Sequence, residues 1–305
     1  MAFYALYTRD LTIRDREAYI KAVKCLQALP PRVLGGPPTT RYEEFLFTHA
    51  SIAERTHGVG QFLPWHRNFV NLYAKALRQE CGYRGSIPFW DWARDGKKEN
   101  IPLSKSPVFN PDTGFGGDGV PGTYTLPPDF DPITVDPPYQ YRGCVQDGPF
   151  ADFVLRIGPG RMVTDHCLVR SFNETWRHRV QSDLIERQLS AGSFEEFGRV
   201  IEGEARWGLH WLTHIIVGGE MSNVWSSPAD PIFYLSHLNL DRMWWHWQKR
   251  DPVKRLKEIW GPTTQGGNDT VTLDFVLDFP GLGPNITVRD VMDTTRQPNC
   301  FTFSY

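Results

Sequence analysis

The run Asp230-Pro231-Ile232-Phe233-Tyr234-Leu235-Ser236-His237-Leu238-Asn239-Leu240-Asp241-Arg242-Met243-Trp244 reads as a long helix with its start marked in advance. Asp230 is a good N-cap, and Pro231 at the first helical position loses nothing by lacking an N–H there. Phe233, Leu235, Leu240, Trp244 and Trp247 supply the apolar positions that follow, so the helix is destined for a core. His237 lies one to two turns inside it. A lone histidine in such a place is more often a satisfied core residue than a ligand.

The sequence just upstream changes that balance. His210 and His214 stand four apart in a helical window from about Arg206 to Val217, so their imidazoles leave the same face about one turn apart. Gly218-Gly219 lets the chain reverse before the next helix, which brings His237 toward them. An HxxxH pair alone occurs often on ordinary helices. A second group of histidines, His49, His57 and His66, is spaced eight and nine residues apart around Gly58-Val59-Gly60, so six of the chain's nine histidines fall into two groups of three. Sets of neutral imidazoles suit copper, zinc, iron or nickel. No HExxH glutamate accompanies them and no carboxylate completes either set, which argues against a zinc protease or a facial-triad iron enzyme.

The rest of the chain reads as support for these elements. Helices are expected at about Thr12 to Leu29, with a Thr12/Asp15 start and a Pro30-Pro31 stop, and at about Tyr42 to Ala53. Another should open near Pro64-Trp65-His66 and end before Gly82. Ser193 with Glu196 marks one more helix start. From Asp95 to about Asp165 the pattern dissolves into Pro- and Gly-rich sequence. Phe109, Phe115, Tyr124, Phe130, Tyr139 and Phe150 are spread through it, so it reads as an ordered loop pinned to a core. The alternation after Val271 suggests a short strand or two. The expected fold is mainly α in a single domain over residues 1–305, with long loops and a few short strands.

Composition excludes several functions. Apolar residues make up 40% and charged residues 22% of the chain, and net charge is −2. No basic stripe offers a nucleic-acid or anionic-membrane footprint, and no apolar run is long enough to span a bilayer. The partner expected is a small, largely uncharged molecule. Five cysteines lie far apart with no CxxC pair, leaving one or two disulfides possible. Sequons at Asn173, Asn268 and Asn285 point to a secretory route, although the first residues do not read as a signal peptide; an intracellular protein is the alternative.

Two blocks carry a resemblance. Phe62-Leu-Pro-Trp-His66-Arg-Asn-Phe69, followed by Ile87-Pro-Phe-Trp-Asp-Trp92, resembles the first copper site of the tyrosinase and catechol-oxidase family, and the run Asp230 to Trp244 resembles the second. The likeness extends from Tyr19 to Cys300-Phe-Thr-Phe303, nearly the whole chain, and is closest to short fungal members. It implies an antiparallel four-helix bundle housing a type-3 dicopper centre, in which His49, His57 and His66 bind one copper and His210, His214 and His237 the other. It further implies O2 and a small phenolic substrate as partners, with no C-terminal shielding domain.

Several other residues take expected roles from that likeness. Asn239, Asp241 and Arg242 are placed to fix the ligand histidines' tautomers, with a plain Asp241–Arg242 ion pair as the bland alternative. Phe233 is expected over the second copper, and Val224 at the gate. Many members that hydroxylate monophenols carry Asn directly after the first histidine of the second site, paired with an upstream Glu that orders a water. Here Trp211 stands in that place, with Glu202 or Glu204 as the carboxylate, so oxidation of o-diphenols is expected and efficient phenol hydroxylation is not. Arg55 occupies the position from which a Cys forms a thioether to the second histidine in some relatives, so no such link forms. Two rivals are an O2 carrier of the haemocyanin type and a zinc hydrolase built on HxxxH.

Overall fold

Seven helices longer than two turns dominate the computed structural model, which describes residues 3–33, 35–96, 101–130, 140–203 and 208–303. They are α1 (Ile13–Ala28), α2 (Arg41–Thr56), α3 (Phe62–Cys81), α4 (Ser182–Leu189), α5 (Phe194–Glu202), α6 (Leu209–Val217) and α7 (Ile232–Lys249). The start signals at Thr12 and Ser193 work locally as expected, accepting the N–H groups of Asp15 and Glu196, and Thr40, which the sequence reading did not single out, accepts that of Glu43; each satisfies an orphan donor of the first turn. Gly82 ends α3 in the left-handed conformation at φ 67°.

Helices α2, α3, α6 and α7 form the bundle, as the resemblance implies; five of the six histidines lie in them and the sixth, His57, caps the end of α2. Aromatic rings fill it: Tyr73 stacks on Tyr234 at 3.5 Å, joining α3 to α7, and Tyr42 meets Tyr234 edge-on at 6.0 Å. Helix α1 is tied to the end of α3 by the Cys25–Cys81 disulfide. Cys144 pairs with Cys167 and Cys300 is free, which resolves the pairing that spacing left open.

The Pro- and Gly-rich segment is ordered where it is described, with Phe109, Phe115 and Phe150 buried and Tyr124 and Phe130 half-buried; Tyr139 lies outside the described residues. It is not all loop, however. Val154–Ile157 pairs antiparallel with Val163–Cys167, and Gly143–Cys144 with Val169–Arg170. The first strand buries Leu155 and Ile157 and exposes the residues between, a period-2 signal too short to stand out among prolines. The alternation after Val271 yields only Val276–Leu277, paired with Ile286–Thr287. A parallel sheet of Ile87–Phe89, Phe3–Tyr7 and Phe301–Phe303 brings the first and last described residues together.

Candidate metal centre

Each histidine arrives at the centre by a different local device. His49 lies inside α2, which breaks its geometry at Ile52 (φ −126°, ψ 16°) before ending at His57, its C-cap. Gly58, at φ 66°, turns the chain into α3, whose second turn presents His66. On the other side α6 carries His210 and His214. Gly218 and Gly219, at φ 66° and 56°, reverse the chain, because side chains there would fall 2.2 Å from the Ser171 carbonyl oxygen and 2.1 Å from that of Val169. His237 then comes from α7.

All six rings are buried, and within each triad the ligand nitrogens lie within 4.8 Å of one another. The triads face each other, with His66 stacked on His237 at 4.5 Å between centroids and His57 near-parallel to His210 at 5.6 Å. Four rings are oriented by backbone carbonyls. The Nδ1–H groups of His49, His57, His66 and His214 donate to Trp225, Ala53, Phe62 and Met221 at 3.0, 2.8, 2.9 and 2.5 Å. Such a bond fixes the tautomer and turns the bare Nε2 lone pair inward.

Those inward nitrogens pass a test for metal. The Nε2 atoms of His49, His66 and His210 are buried with no hydrogen-bond partner, an arrangement that is costly unless something binds them. The Nε2 atoms of His214 and His237 lie 3.1 Å apart, the separation of two donors sharing an ion at roughly 2.0–2.1 Å from each. Burial holds all six histidines in the neutral form a metal needs. The pKa values of His57 and His214 are lowered to about 4, and those of the other four fall well below the usual value, chiefly by desolvation.

This has a consequence for acid stability. An unfolded chain binds protons at these histidines from about pH 6.5 downward, while the folded metal-free protein does not until about pH 4 at His57 and His214. Stability therefore falls as pH drops through that window, by about 1.4 kcal/mol per pH unit for each such proton. Urea titrations of the metal-free protein at pH 7, 6 and 5 should show a steadily falling midpoint; a flat series would contradict the burial argument.

The expected roles of Asn239 and Asp241 are not what the structure shows. Neither hydrogen-bonds a histidine of the triads. Asp241 pairs with Arg67, which also donates to the Val291 and Met292 carbonyls and lies 3.7 Å from the Trp244 ring centroid; Asn239 accepts from Arg242 at 3.4 Å. The ion pair is thus Arg67–Asp241 rather than Asp241–Arg242. Asn239, two residues on, leaves the face of His237, whereas Asp241, one turn on, stays on it but has its carboxylate claimed by Arg67 of α3.

Phe233, one turn before His237, also shares that face. It is fully buried, stacks on His237 of the second triad at 4.0 Å and also reaches His49 of the first at 5.2 Å. Glu202, Trp211 and Val224 converge with His57, His210 and His214 on one cavity of about 330 Å³. Glu202 accepts the Gly58 N–H at 2.9 Å, and burial raises its pKa to about 8 against the opposing Gly58 and Val59 N–H groups. Glu204, the other carboxylate considered, lies outside the described residues.

Sequence reasoning missed Ser227 and Gln265 on that cavity wall, and also the Trp225 and Met221 carbonyls that orient His49 and His214. Backbone acceptors carry no side-chain signal. Of the remaining histidines, His166 is buried against Glu220 at 3.2 Å and stands apart from both triads.

The fold and site together define a helical protein built around a dinuclear, all-histidine metal centre. The family model for the common central domain of tyrosinase matches residues 39–250. A tyrosinase-like protein of Diaporthe leptostromiformis is 34% identical over 97% of this chain and 78% of its own length, and tyrosinase P of Aspergillus terreus is 32% identical over 97% and 90%. The solved structure of a polyphenol oxidase from Thermothelomyces thermophila superposes with a TM-score of 0.85 at 27% identity, covering 100% of this chain and 89% of that one. The chain belongs to the tyrosinase family of copper oxidases, which act on phenols with O2, and its metal centre is a pair of coppers.

Proposed function

We propose that the protein oxidises o-diphenols to o-quinones and hydroxylates monophenols poorly or not at all. The single observation that carries this reading is the cavity beside the triads, which has three ligand histidines on its wall and Trp211 rather than an amide next to His210. Bound at the triads, the copper pair supplies the reduction of O2, in which two diphenols give up four electrons and four protons to yield two o-quinones and two waters. The protein's part is to admit, orient and deprotonate.

The edges of His57, His210 and His214 that line the cavity form the floor on which a diphenol ring rests, with Trp211 and Val224 as apolar flanks that limit how it tilts. Phe233 keeps the space between the triads dry. Glu202, raised to about 8, is free as a carboxylate to take a phenolic proton only as the pH rises toward that value. A monophenol must be deprotonated before it is hydroxylated, and where an amide and Glu202 together would order a water for that purpose, the Trp211 indole offers only an N–H and an apolar face. Exposed Asn268 and Asn285 and the two disulfides support a secretory route.

Oxygen uptake by the copper-loaded protein tests this on 4-methylcatechol and p-cresol. Uptake should begin at once with the catechol and show a long lag or silence with the cresol, and Trp211→Asn should shorten the lag. Equal initial rates on both would overturn the Trp211 argument. Reversible oxygenation with no quinone formed would instead establish an O2 carrier.

A further inference from the structure

A second cavity, of about 220 Å³, lies against the first, and the oxidation chemistry makes no use of it. Its wall is apolar, with Phe62, Leu63, Phe194, Ile201, Trp260 and Pro262. It shares Gly58, Glu202 and Gly203 with the cavity beside the triads, so the Glu202–Gly58 hydrogen bond forms a ridge between them. Gly58 is exposed and Glu202 half-buried, which puts that ridge at the surface, where one molecule can straddle it.

Protein interiors are normally filled by side chains, so an open apolar space invites the question of what keeps it open. Most glycines on its wall have backbone reasons to be glycine. Gly58, Gly203 and Gly261 adopt φ of 66°, 77° and 118°, and a Cβ on Gly60 would fall 2.4 Å from Val271. Gly198 has no such reason. It sits in the middle of α5, where glycine weakens a helix more than any residue but proline, and a Cβ added there meets nothing within 4 Å. Its effect in the fold is to leave this space empty. Arg199, at the rim, stacks over Trp260 at 5.0 Å and pairs with Glu195 at 3.1 Å, so the rim does not call for a charged occupant.

We propose that this cavity is a substrate subsite, taking an apolar and preferably aromatic arm borne by the diphenol on the ring carbon para to a hydroxyl. With the hydroxyls toward the histidines, that carbon points away from them and toward the ridge. The inference rests on the diphenol-oxidase reading above and names its substrate class: 4-substituted catechols with an aryl or branched-alkyl arm.

The test compares 4-benzylcatechol with 4-methylcatechol in wild type, Gly198→Ala and Gly198→Leu. Wild type should favour the benzyl compound by at least about 10-fold in kcat/KM, the discrimination an apolar pocket typically gives. The ratio should fall in Gly198→Ala and approach one in Gly198→Leu, which fills the space from a position where a helix former should also raise the melting temperature. A ratio near one in wild type, or an unchanged ratio in a folded Gly198→Leu, overturns the subsite. Calorimetric titration of the reduced, copper-loaded wild type under argon, where no turnover occurs, gives a second readout that needs no variant to fold. Equal Kd for the two catechols there also overturns it. Silence on both catechols in air would defeat the oxidase reading alone, and the argon titration would still decide the subsite.

Discussion

Replacing His237 with alanine is expected to abolish oxidase turnover and to lower bound copper from two ions per chain to about one. The loss should exceed the roughly 10–100-fold that follows removal of a ligand's hydrogen-bond partner, because here the donor itself goes. His237 is the α7 contribution to the second triad, and its Nε2 sits 3.1 Å from that of His214. Without it, His210 and His214 remain as two donors on one face of α6, and Phe233 loses the ring on which it stacks at 4.0 Å. The first triad keeps all three of its nitrogens. Metal analysis combined with oxygen uptake on 4-methylcatechol checks the outcome; two retained coppers with a rate within tenfold of wild type would refute the assignment of His237.

Asp230→Ala is expected to produce the largest loss of stability, about 3–5 kcal/mol, from a typical total of about 5–15 kcal/mol. Asp230 and Arg170 are both fully buried and meet through two hydrogen bonds, at 2.7 and 3.0 Å. The other arm of the guanidinium donates to the Phe115, Gly116 and Gly117 carbonyls, clamping the long loop onto the start of α7. Removing the carboxylate leaves a charge with no counter-charge in a dry interior and also strips the Ile232 N–H of its acceptor, 3.0 Å away. Asp230→Asn keeps that cap without the charge, so its cost should be smaller. Denaturant unfolding of the metal-free proteins measures both; a loss under about 1 kcal/mol for the alanine variant would mean that the core relaxes around Arg170.

What the sequence made legible was what side chains announce. Thr12, Ser193 and Asp230 announce helix starts through their oxygens, Gly82 a helix end, and the two groups of histidines a pair of metal sites, since each of these depends on a residue type at a fixed spacing. Hydrogen bonds to carbonyls were invisible, because any residue provides one, and so Trp225 and Met221 gave no sign of holding His49 and His214. Asp241 was misplaced for a related reason. Spacing along α7 shows that it neighbours His237 in sequence, but only the packing of α3 shows Arg67 arriving to claim it. The strand at Val154–Ile157 was hidden by its length, and the apolar cavity at Gly198 by the fact that an absent side chain leaves no periodicity to read.

The short segment between α6 and α7 reaches both halves of the centre: its Met221 carbonyl steadies His214 and its Trp225 carbonyl steadies His49. One strap of backbone thus sets the aim of a nitrogen on either side. The two coppers are therefore not mechanically independent tenants, and any distortion of that strap misaligns both at once, so that assembly and failure of the centre are shared events.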